Sequence, residues 1–494
     1  MTTTVNPNVG ASPTTTWTWK SIDWKSAKKN VRRLQERIAK ATQLGKFNKV
    51  KVLQRLLTKS FSAMVLAVKR VTENKGKNTP GVDKVIWRTQ KQKKTAVELL
   101  MQGGTYKASP LRRIYIPKKN GKLRPLSIPT MFDRAIQAIH LFALDPIAET
   151  MADKNSYGFR PKRSIHDAIQ ACFNALSQRG AAQWILEGDI KACFDKISHE
   201  WLINNVIMDK TVLKAWLKAG YIEDNFLHDT VDGCPQGGLA SPCLANIALD
   251  GLEKAIMNIG EQRKDKIHFV RYADDWIVTA TTKEILEETA LPMITAFLKE
   301  RGLELSIEKT KITHINEGFD FLGFNIRKYQ SKLLIKPGEK GIKAFLEKVE
   351  RTVDNARGKT TKDLIDELNP IITGWANHNK YVVSKKIFTK VDHLIFQKIW
   401  AWAKRRHPNK NRHWIQSKYY KRINTRKWVF FARYKKNDKE NVDITLKLAS
   451  DTLIIRHVKI KAEANPYDTK FLEYFKERTQ RYKMMRSRAA RKRS

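Results

Sequence analysis

The sequence predicts an α+β fold in which a β-rich middle lies between two helical segments. The apolar runs His268–Tyr272 and 276–280 predict two buried strands joined by a tight hairpin. The apolar run 184–190 predicts another strand, which ends in Asp189. Helical periodicity extends from residue 24 to residue 74, and it returns after the boundary signal Pro337-Gly338.

Asp274 and Asp275 lie side by side at the predicted hairpin tip. Adjacent carboxylates repel each other, and Mg²⁺, which prefers hard oxygen ligands, removes that penalty. Asp189 supplies a third carboxylate from another strand, as nucleotidyl transfer with two cations about 3.5–4 Å apart requires. The alternative is a solvated turn, since Asp is favoured in turns.

Phe194 follows Asp189 where the chain is expected to turn away from the metal site. A bulky ring there could stack under an incoming sugar and exclude a 2′ hydroxyl. Ordinary core packing is the commoner role of a Phe and stays open as the alternative. Asp195, next to Lys196, is interpreted as a helix cap or an ion-pair partner.

A series of ordered motifs makes the chain resemble a group II intron-encoded reverse transcriptase with maturase activity, of the bacterial type. The resemblance extends from about Trp24 to about Tyr467. Its motifs occupy residues 112–118, 121, 124–126, 128–130, 155–160, 188–190, 193–195, 235–238, 241–242, 245–246, 272–275, 302–303, 309–310 and 321–324. Their common order makes coincidence very unlikely.

The resemblance implies a right-hand polymerase whose fingers and palm contain an antiparallel palm sheet. It also implies an N-terminal helical extension, an α-helical thumb or maturase (X) domain and a small C-terminal DNA-binding segment. The expected organisation is a disordered N-terminus at 1–23, the extension at 24–105, fingers and palm at 106–336, thumb at 337–435, and a candidate DNA-binding region with a basic tail at 436–494.

The resemblance also implies roles for individual residues. Asp189, Asp274 and Asp275 are the expected catalytic residues, and with Ile190 they are expected to hold two Mg²⁺ ions, for which Mn²⁺ can substitute. The expected nucleotide-binding residues are Lys118, Arg124, Phe194, Gln236 and Lys309. Phe321, Leu322 and Gly323 match the primer grip. The alternatives are a solvated basic hairpin for Lys118 and Arg124, and a buried strand for 321–323.

Three positions depart from the family pattern. Cys234 stands where Thr is frequent, Gly188 where Ala is common, and Trp276 where Phe is common. None of the three is an expected metal ligand, so the assignment of the site does not depend on them.

The composition predicts a nucleic-acid partner. The formal net charge is +45 and the pI about 10.1, so the chain repels itself unless a polyanion neutralises it. No stretch of 18 apolar residues and no signal-peptide pattern occurs, which argues against a membrane partner. We expect a bacterial cytoplasmic, nucleoid-associated protein.

The four cysteines, Cys172, Cys193, Cys234 and Cys243, form no CxxC pair, which argues against a zinc ribbon and suits a reducing compartment. Many relatives end in a His/Asn-type (HNH) nuclease domain, often with paired cysteines. Because no Cys follows Cys243, we expect that domain to be absent and the primer to come from elsewhere, such as a replication fork.

Two basic surfaces are expected to bind RNA: Lys28, Lys29, Arg32 and Arg33 on the N-terminal helices, and Arg405 and Arg406 on the thumb. Residues 375–428 interleave five tryptophans with cations, a pattern that suits structured RNA. A helical bundle with a Trp core is the alternative. The basic tail 486–493 is expected to be disordered when free and to contact DNA or RNA.

The expected function is RNA-directed DNA synthesis, primed at a DNA target, together with maturase binding of the intron RNA that assists splicing and retrohoming. The expected partners are group II intron RNA, target DNA with its primer strand, and dNTPs; the oligomeric state stays open. The first alternative is an RNA-binding splicing cofactor with a relic polymerase, which the intact triad disfavours. A retron-type or diversity-generating enzyme is disfavoured by the N-terminal extension and the maturase thumb.

Overall fold

A computed structural model describes residues 17–117, 121, 123–224, 226–234, 237–260, 262–436 and 440–491. Two candidate site residues, Lys118 and Gln236, lie outside the described residues. The described chain forms two compact units. The first comprises the described parts of Met1–Ala168, Trp184–Ile312 and Ile460–Phe475, and the second those of Ile169–Gln183, Thr313–Lys459 and Lys476–Ser494.

The α-helices are numbered in chain order. They are α1 (Trp24–Gln43), α2 (Phe47–Thr58), α3 (Phe61–Glu73), α4 (Gln90–Gln102), α5 (Met131–Met151), α6 (Ile165–Leu176), α7 (Cys193–Lys196), α8 (His199–Asn205), α9 (Lys210–Leu217), α10 (Ser241–Leu249), α11 (Leu252–Met257), α12 (Gln262–Asp265), α13 (Leu291–Lys299), α14 (Glu339–Asp354), α15 (Thr361–Asn379), α16 (Lys385–Arg406), α17 (Arg412–Tyr419) and α18 (Leu472–Arg491). None of the described helices is long and apolar enough to cross a membrane.

The strands are β1 (Leu111–Pro117), β2 (Leu123–Ile128), β3 (Trp184–Gly188), β4 (Tyr221–Glu223), β5 (Phe226–His228), β6 (His268–Tyr272), β7 (Asp275–Ala280), β8 (Lys311–His314), β9 (Phe319–Phe321), β10 (Phe324–Tyr329), β11 (Lys332–Pro337), β12 (Tyr420–Ile423), β13 (Arg426–Lys436) and β14 (Glu440–Thr445). They form four sheets, in the orders β2-β1-β4-β5, β6-β7-β3-β8, β11-β10-β9 and β12-β13-β14.

The N-terminal helices of the first unit pack around α5. Asp23 caps α1 by accepting hydrogen bonds from the backbone N–H groups of Lys25 and Ser26. The apolar face of α1, which includes Val31 and Ile38, is buried in one cluster with α2, α3 and α5. Residues 17–23 were expected to be disordered, but the structure places the 3₁₀ helix Trp19–Ser21 there, because the tryptophans of this segment pack against that cluster.

The sheet that carries the candidate carboxylates follows the predicted strands. β6 and β7 form an antiparallel hairpin, and β3 pairs antiparallel with β7, with Gly188 opposite Trp276. Their inner residues, among them Leu186, Phe269 and Val278, belong to one buried cluster with α8–α11 and α13. The alternate residues Ile185, Val270 and Ile277 are buried as well, so both faces of these strands are covered.

The second unit differs from the expected all-helical thumb. Helices α14–α17 form a buried cluster, as predicted, but β12–β14 complete it with a three-stranded sheet that begins before residue 435. Apolar side chains at every second position of β13, such as Trp428 and Phe430, contact the helices. The basic tail also differs from expectation, since α18 continues to Arg491.

Candidate active site

The strand register brings the candidate carboxylates together. Tyr272 pairs with Asp275 across the β6–β7 turn, and Ala273 within that turn adopts a φ of +58°. Gly188 pairs with Trp276, so Asp189, one residue beyond β3, continues the same register towards Asp275. Directly opposed antiparallel residues have Cβ atoms about 4.5–5.5 Å apart. Asp189 therefore meets the hairpin tip.

Electrostatics show the same convergence. Burial raises the pKa of the Asp274 carboxyl, and the charge of Asp189 raises it further, while Lys309 and Arg124 oppose the shift. Burial raises the pKa of Asp275 to about 6, with further contributions from Asp274 and Asp189. Crowding three carboxylates in a partly dry site therefore costs free energy that a bound cation would recover.

Lys309 contacts this site directly. Its Nζ lies 2.5 Å from Oδ2 of Asp189. The 3₁₀ helix Ile307–Lys309 is held nearby because the backbone N–H of Ser306 donates to the carbonyl oxygen of Asp189 at 2.9 Å. In this arrangement, no group of three or more His, Cys, Asp or Glu side chains in the described part of the chain is arranged to hold a metal ion. The carboxylates nevertheless fit a divalent cation, since they are hard oxygen donors and already attract the Lys309 ammonium.

A buried cation supports the base of the hairpin. Arg271 is fully buried and its Nη2 lies 2.5 Å from Oδ1 of Asp250. Its Nη1 donates to the side-chain oxygen of Asn246 at 3.1 Å. Burial raises the pKa of Asp250 to about 6, and Arg271 opposes that shift. The motif residue Asn246, to which sequence reasoning gave no role, therefore helps to position the hairpin.

The motif at 155–160 packs on the same turn. The backbone N–H of Tyr157 donates to the carbonyl of Arg271 at 2.9 Å, and that of Arg271 donates to Asn155 at 3.0 Å. A Cβ added to Gly158 would lie 2.9 Å from the carbonyl carbon of Tyr272 and closer still to Ala273. Only glycine allows the two backbones to approach so closely.

Phe194 is partly buried beside an exposed ring. It packs edge-on against Phe159 with centroids 6.4 Å apart, and Phe159 is 58% exposed. The carbonyl of Phe194 accepts a hydrogen bond from the backbone N–H of Cys234 at 2.6 Å. Gly233 has a φ of +87°, and an added Cβ would lie 2.6 Å from the same carbonyl oxygen. Phe194 thus contacts the core on one side and the exposed ring of Phe159 on the other.

Of the nucleotide-binding candidates, Arg124 lies on the β1–β2 hairpin. Arg124 pairs with Ile116 in the antiparallel β1–β2 hairpin, as the Asn120-Gly121 turn signal predicted. An added Cβ at Gly237, where φ is +120°, would lie 2.6 Å from the carbonyl oxygen of Ser127 at the end of β2. Gly237 therefore packs against the end of β2 that pairs with Arg113, whereas Arg124 lies near the opposite, hairpin end of that strand.

The primer-grip candidates form a tight turn in the second unit. Phe321 pairs with Phe324, and between them Leu322 and Gly323 have φ values of +51° and +83°. The carbonyl of Gly323 accepts a hydrogen bond from the backbone N–H of Gly338 at 3.0 Å. Phe321 is buried, so its side chain has the core role expected in the alternative interpretation.

The RNA-binding candidates divide into exposed cations and cations with internal partners. Lys28, Lys29 and Arg33 are exposed on α1, whereas Arg32 pairs with Glu36 at 2.7 Å. Arg405 lies 3.3 Å from Asp354, and Arg406 covers the Trp402 ring at 4.8 Å.

The tryptophans of this region serve mainly in packing. Trp402 is buried, Trp375 stacks on Phe345 with centroids 4.4 Å apart, and Trp400 contacts Trp428 at 5.6 Å. The Trp core, which the sequence left as an alternative, therefore accounts for these rings.

Three family profiles match the chain. They describe a reverse transcriptase (RNA-dependent DNA polymerase) at 116–326, an N-terminal domain of reverse transcriptase at 19–100, and a group II intron maturase-specific domain at 342–420. Together the three extend over parts of both units.

Individual relatives agree with these profiles. Protein YkfC of Escherichia coli is 35% identical over 328 residues, which are 58% of this chain and 85% of YkfC. Group II intron-encoded protein LtrA of Lactococcus lactis is 32% identical over 340 residues, 56% of each chain. An uncharacterized 91 kDa protein in a cob intron of Schizosaccharomyces pombe is 33% identical over 44% of this chain and 34% of its own length.

Proposed function

Because the chain belongs to the family of group II intron-encoded reverse transcriptases with maturase activity, we propose that it performs target-primed cDNA synthesis with Asp189, Asp274 and Asp275 as its catalytic carboxylates. As an intron-encoded RNA-directed DNA polymerase, it copies RNA into DNA. The observation that carries the site assignment is the β3–β7 register, which directs Asp189 to the turn that holds Asp274 and Asp275.

Reverse transcriptases use divalent metal ions. We assign Asp189, Asp274 and Asp275, with the backbone of Ile190, to hold two Mg²⁺ ions, for which Mn²⁺ can substitute. When bound, such ions activate the primer 3′ hydroxyl and neutralise the charge of the triphosphate. The chain's own contribution is to hold the carboxylates in position, through Arg271 below the hairpin and the motif at 155–160 beside it.

The remaining residues act on substrate position. Arg124, with Lys118, binds the triphosphate from the β1–β2 hairpin, and its charge already reaches Asp274. Gln236 lies along the nascent base pair, and Phe194 blocks the 2′ position. Once the Lys309 ammonium is released from Asp189, it can donate a proton to the leaving pyrophosphate. The turn at Phe321, Leu322 and Gly323 holds the primer end through its backbone.

We further propose the division of labour along the chain. Residues 24–105 and 337–435 bind the folded intron RNA and assist splicing and retrohoming, while 106–336 forms fingers and palm. The region 436–494, with its basic helix α18, contacts the DNA target, and the net charge of +45 favours nucleoid association.

The test is primer extension on an RNA template by the Asp274→Ala variant. We expect extension to be abolished while intron RNA binding stays near normal, because RNA contacts do not need this carboxylate. Glu288→Ala, at an exposed acidic position of the same unit, is the matched control and should extend normally. Substantial extension by Asp274→Ala would remove the assigned site. Wild-type protein that supports splicing without any extension would favour the relic alternative.

A further inference from the structure

A cavity of about 540 Å³ opens in the first unit between α1, α3 and α5, and its lining includes none of the three candidate catalytic carboxylates. Tyr467, from the segment Ile460–Phe475, forms one wall of it. Its volume falls within the roughly 300–1,000 Å³ of ordinary small-ligand sites. The polar side chains that matter for its chemistry are Lys28, Lys29, Arg32, Arg70 and Asp145.

The cations of this cavity are only partly engaged. Arg32 pairs with Glu36 and donates to the backbone carbonyl of Pro466. Arg70 lies over the Phe142 ring at 5.7 Å. Lys28 and Lys29 are exposed, and neither has an ion pair within the described part of the chain. Two cations are therefore available to a negatively charged ligand.

Asp145 places a hydrogen-bond acceptor among these cations. Burial raises the pKa of its carboxyl to about 6, while Arg70 and hydrogen bonds from the Cys243 thiol and the Tyr467 hydroxyl oppose the shift. The group is therefore mostly ionised at neutral pH. Four cations and one carboxylate line the cavity, so a ligand that carries both negative charge and hydrogen-bond donors would match both kinds of group.

We propose that this cavity binds a guanosine nucleotide, either free or extruded from an RNA loop. Lysine and arginine side chains bind phosphate, and Lys28 and Lys29 are free to do so. Among the bases, guanine alone presents two adjacent donors, N1–H and the N2 amino group, to a single carboxylate such as Asp145. The rings of Phe142 and Tyr467 line the same space and offer apolar surface to the base. The RNA source rests on the proposed function, whereas binding of the free nucleotide does not.

The first test measures binding of GMP, AMP and inorganic phosphate to the full chain by calorimetry. EDTA is present so that the carboxylate site holds no metal. We expect GMP to bind at least about 10-fold more tightly than AMP or phosphate, because a good bidentate contact discriminates between bases by about that factor or more. The Asp145→Asn variant should bind GMP only as tightly as AMP. The Lys29→Ala variant should bind both nucleotides more weakly than the wild type does. Arg37→Ala, at an exposed position on α1 outside the cavity, is the matched control.

The second test separates the two sources. The test compares an RNA hairpin that has one unpaired G with GMP and with the same hairpin carrying A instead. If the G hairpin binds more tightly than both, the natural ligand is a guanosine within RNA. A preference for G over A among free nucleotides, without such an advantage for the hairpin, would identify the free ligand. Equal binding of GMP, AMP and phosphate by the wild-type chain overturns the proposal and leaves a plain anion site. The wild-type comparison decides this even if Asp145→Asn fails to fold.

These outcomes are independent of the polymerase assignment. Asp145→Asn should extend a generic primer and template normally, and Asp274→Ala should bind GMP normally in EDTA. Loss of extension in Asp145→Asn without loss of GMP discrimination would mean that Asp145 serves only the packing of Tyr467 and would overturn the proposal.

Discussion

Gly188 and Trp276 are opposed across β3 and β7, and the ring of Trp276 occupies the space that a side chain at position 188 would need. A Cβ added to Gly188 would lie 2.6 Å from Cε2 of Trp276 and closer still to Cζ2 and Cη2. Trp276 is 1% exposed and has little room to move. The two departures from the family pattern, Gly for Ala and Trp for Phe, therefore compensate each other directly beside Asp189 and Asp275.

The first prediction concerns this pair. Gly188→Ala should lower the free energy of unfolding by about 1–3 kcal/mol, the usual cost of overpacking a core. Trp276→Phe should also destabilise, because it leaves a cavity. The double variant should be more stable than the two single effects predict, since the smaller ring makes room for the methyl group. Urea unfolding of all four proteins gives the coupling energy. If the two changes in unfolding free energy simply add in the double variant, the side chains at positions 188 and 276 are not matched in size.

The second prediction concerns Lys309. Because its ammonium lies against Asp189, Lys309→Met should bind Mn²⁺ more tightly in the absence of substrate, by on the order of 10-fold, or ~1.4 kcal/mol. Titration followed by electron paramagnetic resonance measures this without any turnover. Lys309→Arg should resemble the wild type. Lys311→Met, an exposed position on β8, is the control for a general loss of charge. Equal affinities of the Lys309→Met and wild-type proteins would contradict competition between this lysine and the metal.

The third prediction concerns sugar selection. Phe194→Ala should admit ribonucleotides, because the ring no longer fills the 2′ position, and discrimination should fall by at least about 10-fold. Single-nucleotide incorporation of dNTP and rNTP measures the ratio. Phe159→Ala removes the exposed ring that contacts Phe194 edge-on and should change the ratio much less. Unchanged discrimination in Phe194→Ala would leave Phe194 with a packing role alone.

The fourth prediction concerns the buried pair Arg271 and Asp250. Arg271→Met should lower the free energy of unfolding by about 3–5 kcal/mol at neutral pH, because it leaves a buried carboxylate without its cation. Arg160 and Asp153 are the other charged groups that act on Asp250. Methionine retains an apolar stem of similar length, so lost packing volume contributes little.

The loss should depend on pH with a definite sign. The folded-state pKa of Asp250 is raised to about 6, so protonation favours the folded state, and ionisation of Asp250 lowers stability as the pH rises through that value. Without Arg271 its pKa rises further. The stability gap between Arg271→Met and the wild type should therefore be smallest below pH 6 and widen as the pH rises from 6 towards the higher pKa of the variant, as measured by urea unfolding at each pH. A gap independent of pH would mean that packing, not charge, dominates.

The fifth prediction concerns splicing. Arg405→Ala with Arg406→Ala should weaken intron RNA binding and protein-assisted splicing, and the loss should be smaller at high salt, where phosphate contacts contribute less. The internal partners of these arginines are surface groups, so stability should change by no more than about 1 kcal/mol. Lys386→Ala with Lys390→Ala, at exposed positions on the same helix, is the matched control. Intact splicing with impaired generic extension would assign this surface to the primer duplex instead.

The sequence by itself determined the features that depend on short windows of chain. Short apolar runs placed Asp274 and Asp275 at the β6–β7 turn and Asp189 one residue beyond β3, and helical periodicity predicted α1 to α3. The order of the motifs predicted the family, and the profiles and relatives confirm it. A continuous apolar run is enough to predict a buried strand, so a local pattern is sufficient for these features.

Only the tertiary structure decided the contacts between distant segments. The contact of Lys309 with Asp189, the matched sizes of Gly188 and Trp276, and the return of Tyr467 to α1 each join residues that no local window contains. The β12–β14 sheet was missed because its many Lys and Arg residues conceal the alternation of Trp428 and Phe430, which becomes apolar surface only against α16 and its neighbours. Complementary side-chain sizes and charges become apparent only when the fold brings these segments together. The sequence of one segment does not reveal which distant segment it will contact.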